Sequence, residues 1–287
     1  MNRRDRRLKS RFFKNINAAR KRTPGNLTDK PKSIKHTKKK SWPKVSIITY
    51  VYCTKNNSRW NQLQQNIKSI SCQKYPNYEH IIVDDGSPIP LGKMIKKLND
   101  PHIKYYKKDH TGITENTKTF NYGLKVATGK YLMILSSDDV HLPGTIKLFV
   151  NFLENNVKPV AVVGNVLHQR LSKSGVLISQ KRMIRRESVP IRNALMKSNV
   201  VNACATMFRK SALDKISLPP DPTGFAADYD LWVRLSEIGA IVRVQNIVIK
   251  YRNFGNATRI LTKKDKKYRY RCISYVKNTA KKRRGIK

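Results

Sequence analysis

The stretch Gly129–Pro143, GKYLMILSSDDVHLP, decides how the rest of the chain is read. Tyr131–Leu135 is a short apolar run of the length of a buried strand. It stops abruptly at Ser136, Ser137, Asp138 and Asp139, and Pro143 opens a helix. Two adjacent carboxylates just past the C-terminal end of a buried strand sit where open α/β sheets bind ligands. Hard oxygen ligands of this kind suit Mg²⁺ or Mn²⁺, and such an ion in turn holds a diphosphate. A surface turn with Asp-Asp capping the next helix explains the same residues, so the decision rests with the remainder of the chain.

Outward from that strand the pattern repeats. Val45–Val51 (VSIITYV) is a β-branched run fit for a central strand, and His80–Val83 is a second one, stopped by Asp84-Asp85-Gly86-Ser87. Between them, Trp60, Leu63, Ile67 and Ile70 have helical spacing, with Asn57 or Ser58 as the cap. Leu91–Leu98 reads as a short helix and Ile103–Tyr106 as a third strand. Thr114 caps a helix lined by Phe120, Leu124 and Ala127, and Gly129 closes it. A helix from Pro143 to about Asn155 and a strand at Val160–Val166 follow. Such alternation predicts a largely parallel sheet covered on both faces. From Leu167 to Thr223 the pattern loosens, as in a region that builds an acceptor pocket. Asp228 then starts a helix carrying Leu231, Leu235 and Ile238 and ending at Gly239, and Ile241–Val244 with Ile247–Tyr251 reads as a hairpin.

Composition narrows the function. The 287 residues are 39% hydrophobic, enough for a core, and no window reaches the roughly 18 uninterrupted apolar residues of a membrane span. The N-terminal residues lack the apolar region of a secretory signal. Cys53, Cys72, Cys204 and Cys272 show no metal-ligand or disulfide spacing, so a reducing, cytoplasmic setting is expected. Lys and Arg number 60 against 18 acids, a formal +42, and about two-thirds of the excess lies at the ends: +15 in residues 1–44 and +14 in 250–287. The first segment reads as a flexible basic arm (1–44), and the last (256–287) as a basic amphipathic helix with Tyr268, Cys272 and Tyr275 on one side. A polyanionic partner follows, nucleic acid ahead of an anionic membrane surface.

The ordered set VSIITYVYC, VDDGS, LSSDD with Pro143 beyond it, ADYDLWVRL and Tyr251-Arg252 resembles the inverting glycosyltransferases of family 2 over about residues 44–255. The resemblance implies an α/β GT-A (Rossmann-like) fold, a mixed and mostly parallel sheet flanked by helices, here with basic extensions. It implies that Tyr52 stacks on the nucleotide base and that Asp84, with Asp85 beside it, binds the nucleotide. Asp138 and Asp139 reach the ribose and, through Mn²⁺ or Mg²⁺, the diphosphate of a nucleotide-sugar, a UDP-sugar by preference. Asp228 is the matching catalytic base. Four positions depart from the family pattern. Ser136 replaces the first acid of the DxDD region, which leaves the metal to Asp138 and Asp139. Phe254 replaces a His, Cys53 an Asn, and Phe120 an Arg.

The chemistry stands without the family. Displacing a nucleoside diphosphate from an anomeric carbon builds negative charge that a carboxylate-held metal offsets, and the attacking hydroxyl needs one general base. Asp228 at a helix N-terminus is expected to stay ionised through the helix dipole. Asp230 and Arg234 are expected as an exposed i,i+4 pair, Trp232 as core and His110 as a satisfied loop histidine. The motifs do not encode the acceptor. The basic flanks favour DNA, with a hydroxymethylated base as acceptor. A surface glycan, lipid or protein acceptor, with the C-terminal helix lying on a membrane, is the alternative. A non-catalytic nucleic-acid-binding protein on a transferase core is the third reading.

Overall fold

The computed structural model describes residues 42–56, 59–110, 116–172, 174–186, 189–254 and 263–286. Residues 1–41 of the basic arm and the cap candidates Asn57, Ser58 and Thr114 lie outside the described residues. Strands β1 (Val45–Val51), β2 (Tyr78–Asp84), β3 (Ile103–Lys107) and β4 (Tyr131–Ser136) form a parallel set in the order β3-β2-β1-β4. Between them run α1 (Arg59–Ser71), α2 (Leu91–Lys96) and α3 (Asn116–Val126). The central strands β1 and β4 read as nearly continuous apolar runs because helices cover both of their faces, whereas the edge strand β3 alternates with exposed lysines. Leu63 and Ile67 of α1 pack with Val51, Cys53 and Ile82 on one side, while Leu124 of α3 joins Ile48, Ile134 and the larger core on the other.

Past β4 the sheet becomes mixed. β5 (Val140–His141), α4 (Thr145–Asn155), β6 (Ala161–Leu171), β7 (Leu177–Met183), α5 (Ile191–Lys197), β8 (Thr206–Arg209), α6 (Lys210–Leu213), α7 (Ala227–Ile238), β9 (Ile241–Asn253) and α8 (Lys263–Arg283) complete the described elements. The sheet continues β4-β8-β6-β9-β5, with β7 on the outer part of β6. The fold is therefore the α/β, GT-A-type layering expected.

Three expectations are corrected. The supposed hairpin at 241–251 is the single strand β9, parallel to β6 throughout, with register shifts opposite Val163–Val166. Gln245 and Asn246 are taken up as a bulge, which bends a strand without reversing it. The loose region after Leu167 contains two further strands, β7 and β8; β8 inserts antiparallel between β4 and β6. The C-terminal helix is no appendage, since Trp42–Lys287 forms one compact unit and Cys272, Val276 and Ala280 of α8 are buried in its core.

Two buried histidines make stability depend on pH. His80 shares a 2.9 Å hydrogen bond with Thr49, and His141 Nε2 lies 2.8 Å from the Cys204 carbonyl. Burial drops both from 6.5 to about 4. The unfolded chain therefore takes up protons that the folded chain refuses between those values. Stability is full above pH 6.5 and falls as pH drops toward 4, by at most about 3 kcal/mol per histidine. Urea melts at stepped pH should show that slope, and His80→Gln should flatten it.

Candidate active site

The carboxylate turn is held from three sides. Asn66, buried on α1, donates from Nδ2 to the Ser136 carbonyl at 2.8 Å and to the Asp139 carbonyl at 3.0 Å. The Ser136 amide donates to Cys204 Sγ at 3.3 Å, so a thiol sits under the position where the family pattern has an acid. From β9, the Arg252 amide donates to Asp139 Oδ1 at 2.8 Å, and its guanidinium donates to the Asp138 carbonyl and to Gln65. The two-residue β5 pairs with β9 at Val140–Lys250 and His141–Ile249, which brings Asp138 and Asp139 beside Tyr251 and Arg252.

The two acids differ. Asp138 is partly open and pairs with Arg59 at 2.6 Å. Asp139 is buried, and burial first, then the Asp138 charge, pushes its carboxyl far above the carboxylate range. Its Oδ2 has no hydrogen-bond partner among the described residues. Nor, among those residues, do three His, Cys, Asp or Glu side chains gather as a ligand set. That donor set fits a divalent ion brought in with a diphosphate, because Mg²⁺ takes one or two carboxylates and completes its shell with phosphate and water. Asp139 Oδ2 and Asp138 would hold it, with Arg59 giving up Asp138.

At the end of β2 the paired acids separate. The Asp84 carboxylate is fully buried and occupied: Oδ1 accepts from the amide and hydroxyl of Ser87, and Oδ2 accepts from Tyr105 Oη. It shapes the turn from within. Asp85 is the member at the surface, accepting from Thr119 Oγ1 at 2.9 Å and lying 2.8 Å from His110 Nδ1. The His110 ring stacks on Tyr52, with centroids 4.2 Å apart, and Tyr52 is 37% exposed. Tyr52, His110 and Asp85 thus form one open aromatic and acidic ledge.

Gly86 makes the ledge possible. Its φ is +74°, and a Cβ there would lie 2.5 Å from the His110 amide nitrogen. Gly86→Ala should cost about 1–3 kcal/mol and pull His110 off Tyr52. A raised donor KM with a lowered Tm would register it; an unchanged KM would remove the ledge from donor binding.

Asp228 opens α7, accepting from the Tyr229 amide at 2.7 Å and from Asn199 Nδ2 at 3.2 Å. Burial outweighs those bonds and raises its pKa, so desolvation opposes the helix N-terminus expected to keep it ionised. Asp230 and Arg234 pair at 2.5 Å, but Asp230 is buried and therefore not on an exposed face. Trp232 is core, edge-on to Phe208, and Phe120 stacks on Tyr50.

Tyr251 joins the parts. Burial first, then the nearby Asp139, Cys204, Asp138 and Asp228, pushes its hydroxyl up to about 12. One side chain from β9 therefore lies within electrostatic reach of the carboxylate turn and of Asp228. Sequence reasoning singled out the Tyr-Arg pair but not Arg59, Asn66, Asn199 or Cys204. Their partners lie 68 to 79 positions away for Asn66, Cys204 and Arg59 and 29 away for Asn199, and no local pattern signals such contacts.

Residues 47–217 match the model of glycosyl transferase family 2, more than half of the chain. The chain belongs to that family. An uncharacterized glycosyltransferase of Rickettsia typhi is 27% identical over 212 residues, covering 73% of this chain and 64% of the relative, so the chain spans less than two-thirds of that relative. The Escherichia coli UDP-Glc:alpha-D-GlcNAc-diphosphoundecaprenol beta-1,3-glucosyltransferase WfaP is 26% identical over 208 residues, 72% of this chain and 76% of WfaP. Among solved structures, Staphylococcus aureus TarS 1-349 in complex with UDP-GlcNAc superposes with a TM-score of 0.57 at 17% identity, covering 81% of this chain and 66% of that one. That last likeness concerns the fold.

Proposed function

We propose that this family 2 member transfers a glycosyl group from a UDP-sugar to a hydroxyl of a diphosphate-linked or otherwise anionic glycan acceptor. The observation that carries the reading is the family 2 match over residues 47–217 together with the β5–β9 pairing, which sets the Asp138–Asp139 turn against Arg252 at the sheet edge. The donor's base lies on the Tyr52–His110 ledge, with Asp85 accepting from its ring. Its diphosphate runs toward the carboxylate turn, where Arg59 and Arg252 supply positive charge. A divalent ion, when bound by Asp138 and Asp139, neutralises charge on the leaving diphosphate.

Asp228 orients the acceptor hydroxyl and takes its proton. The hydroxyl oxygen bonds to the anomeric carbon from the face opposite the diphosphate, the anomeric C–O bond breaks, and its electron pair leaves with UDP. A single displacement inverts the anomeric centre. The raised pKa makes Asp228 a better proton acceptor than an exposed Asp.

WfaP is named for a lipid-diphosphate acceptor, and the excess of positive charge suits such an acceptor as well as it suits DNA. The hydroxymethylated base in DNA draws no support from the relatives, so the anionic glycan stands first. The deciding experiment offers radiolabelled UDP-glucose and UDP-GlcNAc to diphosphoundecaprenol-linked GlcNAc and, in parallel, to duplex DNA with hydroxymethylated bases. Mn²⁺ is present or chelated in each arm. Label in the lipid fraction, lost with chelation, is the expected result. Label in DNA alone would replace the acceptor, and no UDP release with any acceptor would overturn the activity.

A further inference from the structure

We propose that the β6–β7 hairpin is a docking element for an anionic lipid surface. All seven residues of β7 are exposed, an unusual state for a strand in a sheet that otherwise supplies the core. Beyond its pairing with β6, its outer edge carries no strand among the described residues. At the tip the Ser172 amide donates to the Val176 carbonyl and the Gly175 amide to the Ser172 carbonyl, with Gly175 at φ +88°. Val176, Leu177 and Ile178 follow in succession, exposed by 65, 47 and 57%. Met183 and Ile184 are exposed at the other end of the strand.

Charge surrounds this apolar tip. Residues 168–186 contain six Lys or Arg and no acid. Lys181 and Arg182 lie three and four residues beyond Ile178, about 10 Å along a strand. That spacing lets the tip enter the headgroup boundary by the 5–10 Å typical of interfacial elements while the cations stay at phosphate level. Phosphate contacts would use the cations and leave three consecutive exposed aliphatic side chains without a role, whereas a lipid surface uses both. A second copy pairing along the free edge would set like-charged strands side by side, a destabilising arrangement. Helix α8, the sequence-based candidate for a membrane contact, has its apolar residues Cys272, Val276 and Ala280 already buried.

The hairpin is also continuous with the site. His168, at its base, stacks on Tyr251, and Gln169 pairs in register with Arg252. A bilayer under the tip would therefore present a lipid-linked acceptor to the cleft. The inference deepens the proposed function and rests on it for the purpose of the contact, while binding itself is read without donor or acceptor.

The test is flotation of the full chain with phosphatidylcholine vesicles, with and without phosphatidylglycerol, at physiological salt. The Leu177→Ser/Ile178→Ser double variant should bind phosphatidylglycerol vesicles about tenfold more weakly than the wild type. Its thermal melt and its hydrolysis of UDP-sugar in solution should be unchanged. Equal vesicle affinity of the two chains would overturn the proposal and place the contact on the basic flanks. A dimer in light scattering that the double variant dissolves would overturn it in favour of a second copy. Duplex-DNA binding that the variant loses, with no vesicle binding by the wild type, would assign the hairpin to nucleic acid instead. Absence of UDP-sugar hydrolysis in the wild type would count against the transferase reading and leave the vesicle result intact.

Discussion

Asp228→Asn should lower kcat by on the order of 10²–10⁴-fold, the usual contribution of a positioned general base, while the Kd for UDP stays unchanged. The substitution is close to isosteric. Its amide oxygen still accepts from the Tyr229 amide, so the start of α7 keeps its shape, but it can no longer take the acceptor's proton. Transfer assays beside a UDP titration separate the two effects, and a variant keeping most of its turnover would exclude Asp228 as the base. The pH profile carries a second signature. The base works only when deprotonated, so activity falls as pH drops through its folded-state pKa. Burial raises that pKa, and the acid limb should lie above the ordinary 3.8. Asn199 donates to Oδ2 and favours the charged form. Asn199→Ala should therefore move the limb to still higher pH. A limb that moves down would show that the Asn199 hydrogen bond does not hold this carboxyl in its charged form.

Removing residues 262–287 should abolish cooperative folding, not merely strip an accessory tail. Cys272, Val276 and Ala280 of α8 are buried in the main core. Arg283 forms a two-point contact with Glu237 at 2.9 and 3.2 Å, and Arg284 bonds Glu237, Ser236 and the Arg192 carbonyl. Near its N-terminal end α8 presses on the 3-10 turn Asp221–Ala226 that leads into Asp228. A Cβ on Gly224, at φ +39°, would lie 2.0 Å from Tyr268 Oη. Arg269 lies over the Phe225 ring, 4.6 Å from its centroid. The helix thus seats the base as well as closing the core. Val276→Asp buries a charge without a partner and should cost about 3–5 kcal/mol. For a chain of this size that is a fall in Tm of about 10 °C. A truncated chain with an unchanged melt and intact UDP binding would show α8 to be the dispensable extension that its composition suggests.

Much of the architecture was legible because each local signal had one solution. Val45–Val51, His80–Val83 and Tyr131–Leu135 are apolar runs too short for buried helices, the last two ending at Asp84 and Ser136. A run buried on both faces, followed by a helix and a parallel partner, places its C-terminal end at the functional edge. Hence the positions of Asp138 and Asp139 could be read directly. β7 could not, because an exposed strand leaves no apolar alternation, and Gln245-Asn246 looks the same in sequence whether it turns or bulges. Asp84 and Asp85 are neighbours with identical chemistry. Only the contact of Asp84 with Tyr105, from the next strand, decides which one is consumed by the turn.

The sequence by itself determined the layered α/β class, the strand ends that carry the acids and the family. Tertiary structure alone decided that Arg59 guards Asp138, that Cys204 stands beneath Ser136, that Asn199 holds Asp228 and that a basic terminal helix belongs to the core. The division has a physical cause. Backbone periodicity and chain-terminating residues act over a few positions and leave their mark in composition. A hydrogen bond or ion pair between residues far apart in the chain forms only once the sheet has brought them together, and a polar side chain looks the same beforehand whether it will face water or a partner.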